Sequence, residues 1–185
     1  MPDVTLLGPQ RFQPTLGAAV RAAGVDGVLA SVTAGWQERE AEDLELFEHL
    51  GERTLNLMLY ARSEDVFERD PDLFRAHRER QERLRALQEA YRLRRAHLKR
   101  AARELLAREG DAELLEPERE SAIDALRELD AHHLVRIRDV NQRFEAAWRP
   151  LSRSAVARHV AQIERTLGGA QALAIAGGHV AILLN

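Results

Sequence analysis

Ala172 to Asn185, reading ALAIAGGHVAILLN, constrains the fold of this chain more than any other segment. A short apolar run, Ala172 to Ala176, meets two glycines, Gly177 and Gly178. A second apolar run follows at helical spacing. Strand, Gly-Gly turn and helix start is how an α/β protein builds a small-ligand or oxyanion site. A further strand is expected next, and the 185-residue sequence ends before it. The pattern predicts an α/β fold with an incomplete sheet.

The first part of the chain alternates in the same way. Val4 to Leu7 reads as a strand stopped by Gly8-Pro9. Thr15 to Ala23 has helical spacing through Leu16, Ala19 and Val20, and stops at Gly24. Val28 to Val32 is a second strand. Glu38 to Leu50 reads as a helix with Leu44, Phe47 and Leu50 on one side and Gly51 just past its end. Leu55 to Tyr60 is a third strand. Apolar strands separated by helices imply right-handed crossovers and a parallel sheet. With Ala172 to Ala176 added, the expectation is a flavodoxin-like parallel sheet of about four strands.

The middle of the chain behaves differently. No strand signal occurs between Glu64 and Trp148. One apolar stripe runs through Leu73, Leu84, Leu87, Tyr91, Leu98 and Leu105. A second runs through Ile123, Leu126, Leu129, His133, Ile137, Val140, Phe144 and Trp148. Gly110-Asp111 and Pro117 interrupt the period between them. Two long amphipathic helices, over about 71–109 and 118–148, are expected to pair as an inserted antiparallel αα-hairpin. The expected domains are an α/β half-domain, residues 1–61 with 150–185, and a helical hairpin insertion, residues 62–149.

Charge bears on partners. Eleven Arg or Lys face three Glu between Arg75 and Arg103, and nine acids face two arginines between Glu109 and Asp130. Antiparallel pairing is expected to neutralise one block with the other. The formal net charge is −3, and Tyr91 is the only aromatic within the basic block, which argues against nucleic acid as a partner. Cysteine is absent, which excludes disulfides and fits a reducing, cytoplasmic location. The opening MPDVTLLGPQ does not read as a signal peptide, and no apolar run of about 18 residues predicts a membrane span.

Sites in open parallel sheets gather beyond the carboxyl ends of strands. Four segments qualify: Gly8-Pro9-Gln10, Thr33 to Glu38, Tyr60 to Ser63, and Gly177-Gly178-His179. Trp36, Gln37 and Glu38 concentrate binding-type side chains in one loop. The alternative is that Trp36 covers the core and Glu38 favours a helix N-terminus. Gly177 and Gly178 offer backbone N–H groups to an oxyanion; the alternative is a tight strand-to-helix turn. No catalytic residue is identified, because there is no G-x-S-x-G and no cysteine. No metal or cofactor is expected either. HExxH is absent, and the single Asp130-x-x-His133 pair lies on an apolar stripe.

The opening strand ending in Gly8, the TAGWQEREAED loop and helix (Thr33 to Asp43), the NLMLY strand (Asn56 to Tyr60) and the closing AIAGGHVAILLN together resemble the N-terminal half of the peptidase S51-like, class I glutamine amidotransferase-like family. That family includes dipeptidase E and cyanophycinase. The resemblance implies that the Gly177-Gly178 segment contributes to an oxyanion hole, with His179 standing where the family has Asn. The family's nucleophilic Ser sits in a Ser-Ala-Gly turn after the next strand, which this sequence does not reach. The expectation is the N-terminal part of a serine-hydrolase-like domain, inactive alone, whose partner is a complementary C-terminal half or a second copy. The alternative is a non-catalytic interaction protein that uses its hairpin to bind a partner or itself.

Overall fold

Leu29, Ala30, Ser31 and Val32 are all buried, so this apolar run lies at the centre of its sheet. The computed structural model describes residues 3–8, 10 and 12–183. Strand β1 (Leu29–Val32) lies between β2 (Thr54–Asn56) and β3 (Ala172–Ile175), and both neighbours run parallel to it. Leu29 pairs with Thr54 on one side and with Ala172 on the other. The edge strand β3 alternates, leaving Leu173 and Ile175 exposed.

The helices, in chain order, are α1 (Leu16–Ala22), α2 (Leu44–His49), α3 (Leu59–Arg69), α4 (Pro71–Ala107), α5 (Ala112–Trp148), α6 (Ser154–Gly169) and α7 (Val180–Leu183). A 3₁₀ segment, Ala34–Arg39, follows β1. The chain divides into two units, residues 1–70 with 151–185, and residues 71–150. In the first unit Ala30, Val32, Ala34 and Leu57 form the core, with Leu59, Tyr60, Ile163, Ala170, Ile182 and Leu183 packed against them.

These elements overturn the expected architecture. The structure is 71% helical and its sheet has three strands in the order β2-β1-β3, not the four of a flavodoxin-like sheet carrying an inserted antiparallel hairpin. Val4 and Leu6 are almost fully exposed and form no strand, because no sheet edge receives them. Pro9, Leu184 and Asn185, which also carried expectations, lie outside the described residues.

The third expected strand, Leu55 to Tyr60, survives only as Thr54–Asn56. Met58 turns left-handed, at φ 51°, and α3 begins at Leu59. The cause is polar. The Asn56 carboxamide oxygen accepts from Met58 N at 3.0 Å, and the Glu40 carboxylate accepts from Tyr60 N at 3.1 Å and Ala61 N at 2.9 Å. A carboxylate on the first-turn amides starts a helix where the apolar run alone favours a strand. The expected helix from Glu38 to Leu50 is also divided. Gln37 sits at φ 58°, ψ −125°, and the α-helix begins only at Leu44.

In the second unit α4 and α5 have 37 residues each. Asp111 starts α5 by accepting from Glu113 N at 2.9 Å, and the helix continues through Pro117 rather than breaking there. Pro117 lies at the sixth helical position, past the first turn, so α5 gives up one backbone hydrogen bond there. The two helices are tied at several levels. The Arg119 guanidinium donates to Leu105 O and Arg108 O, Tyr91 Oη donates to Asp130 at 2.9 Å, and the Tyr91 and His133 rings stack 4.2 Å apart. Leu73, Ala76, Ala102, Leu129 and Phe144 are buried. Among the described residues, the charge blocks are not joined by the contact ion pairs expected between the helices. Five ion pairs of this unit join residues three or four apart on one helix: Arg75–Asp72, Arg100–Glu104, Arg119–Glu116, Arg127–Asp124 and Arg143–Asp139.

Candidate functional site

Three parallel strands in the order β2-β1-β3 change direction of winding at β1, and the carboxyl ends of β1 and β3 meet at that switch point. Thr33 to Glu38 leaves β1 there, and Ala176 to His179 leaves β3 there. The structure brings the two predicted segments together. Trp36 Nε1 donates to Gly177 O at 2.9 Å, and His179 N donates to Gly35 O at 2.8 Å.

Glycine is required at this crossing for a steric reason. A Cβ on Gly178 would lie 2.5 Å from the Gly35 carbonyl carbon, and one on Gly35 would lie 2.9 Å from Gly178 Cα. The two backbones touch, so the Gly-Gly pair is explained at Gly178 by close approach. Gly177 faces open space. Among the described residues neither Gly177 nor Gly178 donates its N–H, whereas the His179 N–H is committed to Gly35. The His179 residue is exposed.

Gln37 holds the strained turn described above. Glu38 is exposed and accepts from Tyr60 Oη at 3.1 Å. Desolvation, then the hydrogen bond and charge of Glu38, push the Tyr60 phenol above its ordinary pKa. Tyr60 to Ser63, expected in a loop, occupies the first turns of α3, and Ser63 Oγ donates to Tyr60 O at 2.7 Å.

A buried polar knot beneath this crossing escaped the sequence reading. Thr33 Oγ1 donates to Glu40 O at 3.0 Å. Asn56 Nδ2 donates to Thr33 Oγ1 and Asp43 Oδ2, both at 2.8 Å, and lies 3.1 Å from Glu40 O. Glu40 is only 2% exposed, so its carboxylate depends on the two α3 amides for solvation. The signal available was weak. A glutamate in a charged run gives no sign that its partners lie twenty residues on.

A second polar cluster joins α3 to α6. His159 is nearly buried and sits between Asp65 Oδ2, 2.7 Å from Nε2, and Arg62 Nη1, 3.0 Å from Nδ1. A guanidinium can only donate, so Nδ1 accepts and Nε2 carries the proton given to Asp65. That proton and the Arg69 guanidinium hold the Asp65 carboxyl down at about 2. The pair has the Asp–His part of a hydrolytic triad, but the far ring nitrogen already holds Arg62 where a nucleophile would have to stand. Arg62 is itself fixed by Leu57 O at 2.7 Å and by Gln162 Oε1.

His133, of the Asp130-x-x-His133 pair, stacks on Tyr91 and contacts Gln88 Oε1 at 3.2 Å. Among the described residues no three His, Asp or Glu side chains gather as metal ligands. In the same residues no helix is long and apolar enough to cross a membrane. In comparisons with known proteins, no family model, curated protein or solved structure matches this chain.

Proposed function

We propose that this chain is a non-catalytic interaction protein whose α4–α5 pair is the binding surface, and that it works in the cytoplasm. The observation that carries this reading is apolar exposure on helices whose shared seam is already filled. Leu93, Leu106, Leu114, Leu134 and Val135 are each more than half exposed, while Leu129 and Ala102 fill the seam. Exposed apolar side chains of this size on a charged helix pair are suited to a protein partner. The test is photo-crosslinking from a benzophenone amino acid placed at Leu134 or at Arg39 of the first unit. Capture of a polypeptide from Leu134 and not from Arg39 is expected. Absence of any adduct at Leu134 overturns the reading.

A second reading is the serine-hydrolase-like domain that the family resemblance implies. It is favoured by the gathering of Gly177, Gly178, Trp36 and Glu38 at the switch point, with two unused N–H groups. Against it, Trp36 and His179 N tie the crossing shut, and Arg62 occupies the His159 nitrogen a nucleophile would need. Labelling of any serine by a fluorophosphonate, together with dipeptide hydrolysis, would favour this second reading over the first.

A further inference from the structure

We infer that one face of the α4–α5 pair takes an acidic, apolar helical segment of a partner protein, seated in a groove rimmed by Arg83, Arg136 and Arg143. This rests on the reading of the helix pair as a binding surface and deepens it by naming the face and the partner's chemistry.

Helical spacing builds the groove. Arg83, Ala86 and Leu87 stand three and four residues apart on α4, and Arg136, Val140 and Arg143 stand four and seven apart on α5. Each trio therefore projects from one side of its own helix. Tyr91 meets Asp130 and Gln88 meets His133, an antiparallel register that brings the two trios together. They line one groove of about 360 Å³, open to solvent. The three arginines are exposed, whereas Leu87 and Val140 are half-buried nearer the seam. The groove has an aliphatic floor and a cationic rim.

The rim carries more positive charge than the groove balances. Asp139 is the acid that lines it, and Arg143 Nε donates to that carboxylate at 2.9 Å. Among the described residues Arg83 and Arg136 make no ion pair and no side-chain hydrogen bond. Two uncommitted guanidinia beside an aliphatic floor are complementary to carboxylates beside apolar side chains. A guanidinium meets a carboxylate through two parallel N–H donors, and it is more weakly hydrated than an ammonium. A helix with glutamates flanking a leucine stripe supplies both kinds of group to one groove. Nucleic acid would suit the rim but not the floor. No aromatic side chain lines the groove for a base to stack on, and the chain's formal net charge is −3.

Fluorescence anisotropy tests this on the full chain with two labelled helical peptides. They are identical except that glutamates flank the leucine stripe in one and glutamines in the other. The salt is ~0.15 M, where exposed charges more than ~8 Å apart are largely screened. The glutamate peptide is expected to bind, and the glutamine peptide to bind roughly tenfold more weakly. Arg83→Glu/Arg136→Glu should weaken binding of the glutamate peptide by at least roughly tenfold, with unchanged helicity by circular dichroism. Arg92 and Arg103 lie nine and twenty positions beyond Arg83, on the opposite side of α4. Arg92→Glu/Arg103→Glu makes the same change of charge there and should alter binding by less than roughly twofold. If the groove reversal does not fold, a benzophenone amino acid at Ala86 decides, through an adduct with the glutamate peptide. No binding of that peptide overturns the inference, as do equal binding of both peptides, equal losses from the two arginine variants, or a preference for a DNA duplex. In each of those cases a polypeptide adduct at Leu134 leaves the helix pair standing as a binding surface. Its absence overturns that reading as well.

Discussion

The helix pair and the sheet unit are held together over very different distances along the chain. In residues 71–150 ion pairs such as Arg75–Asp72, Arg100–Glu104 and Arg119–Glu116 join residues three or four apart, and the apolar seam repeats at the helical period. In the sheet unit the deciding contacts are remote. Trp36 donates to Gly177, 141 residues on, Gln171 Oε1 accepts from Gly27 N, and Glu40 caps a helix that starts nineteen positions later. The contrast teaches that local period suffices to raise two long helices, whereas the shape of a small sheet depends on a few polar groups that the fold itself brings together.

The sharpest way to break this comparison is at Glu40. Glu40→Ala removes the carboxylate that accepts from the part-buried Tyr60 and Ala61 amides, two charge-assisted hydrogen bonds, at a cost of ~3–5 kcal/mol. Amide hydrogen exchange should rise at Tyr60 and Ala61. Unchanged exchange there would mean that α3 starts without the remote cap.

Next in size is the seam of the helix pair. Leu129 is 2% exposed, and Leu129→Ala should cost ~2–4 kcal/mol through lost burial and a residual cavity. Arg100→Ala, which removes an exposed pair with Glu104, should change stability by less than ~0.5 kcal/mol. Thermal melts of the two variants check this, and equal effects would show that charge rather than apolar period holds the pair.

The smallest effect concerns pH and the α3–α6 contact. The Asp65 carboxyl titrates at about 2 when folded, below its ordinary range. The folded state therefore binds this proton less readily than the unfolded chain. The resulting stability is full above the ordinary carboxylate range and is lost as pH falls through it toward 2. Asp65→Asn should flatten the acid limb of the stability curve. An acid limb identical to that of the unaltered chain would show that His159 and Arg69 do not hold this carboxylate.

Particular elements mark how far the sequence could be read. Val28 to Val32 was legible as a strand because a short, mostly apolar run ends at Thr33-Ala34-Gly35, and Leu29–Val32 is the buried centre of the sheet. The Thr33 to Glu38 and Gly177-Gly178 segments were legible as neighbours because parallel strands present their carboxyl ends on one edge. Val4 to Leu7 misled, since an apolar run is a strand only where an edge receives it. Leu57 to Tyr60 misled for a different reason, because the cap that turns it into helix belongs to Glu40. The charge blocks misled as well. Opposite net charge was visible, but which way each side chain projects was not.

By itself the sequence determined the apolar period of the two 37-residue helices and the strand runs at β1 and β3. Those are properties of residues within a few positions of one another. Only the tertiary structure decided that the sheet has three strands, that Glu40 starts α3, that Arg62 closes off His159, and that Tyr91 of α4 meets Asp130 of α5. Each of these depends on groups far apart in the chain whose meeting no local period encodes.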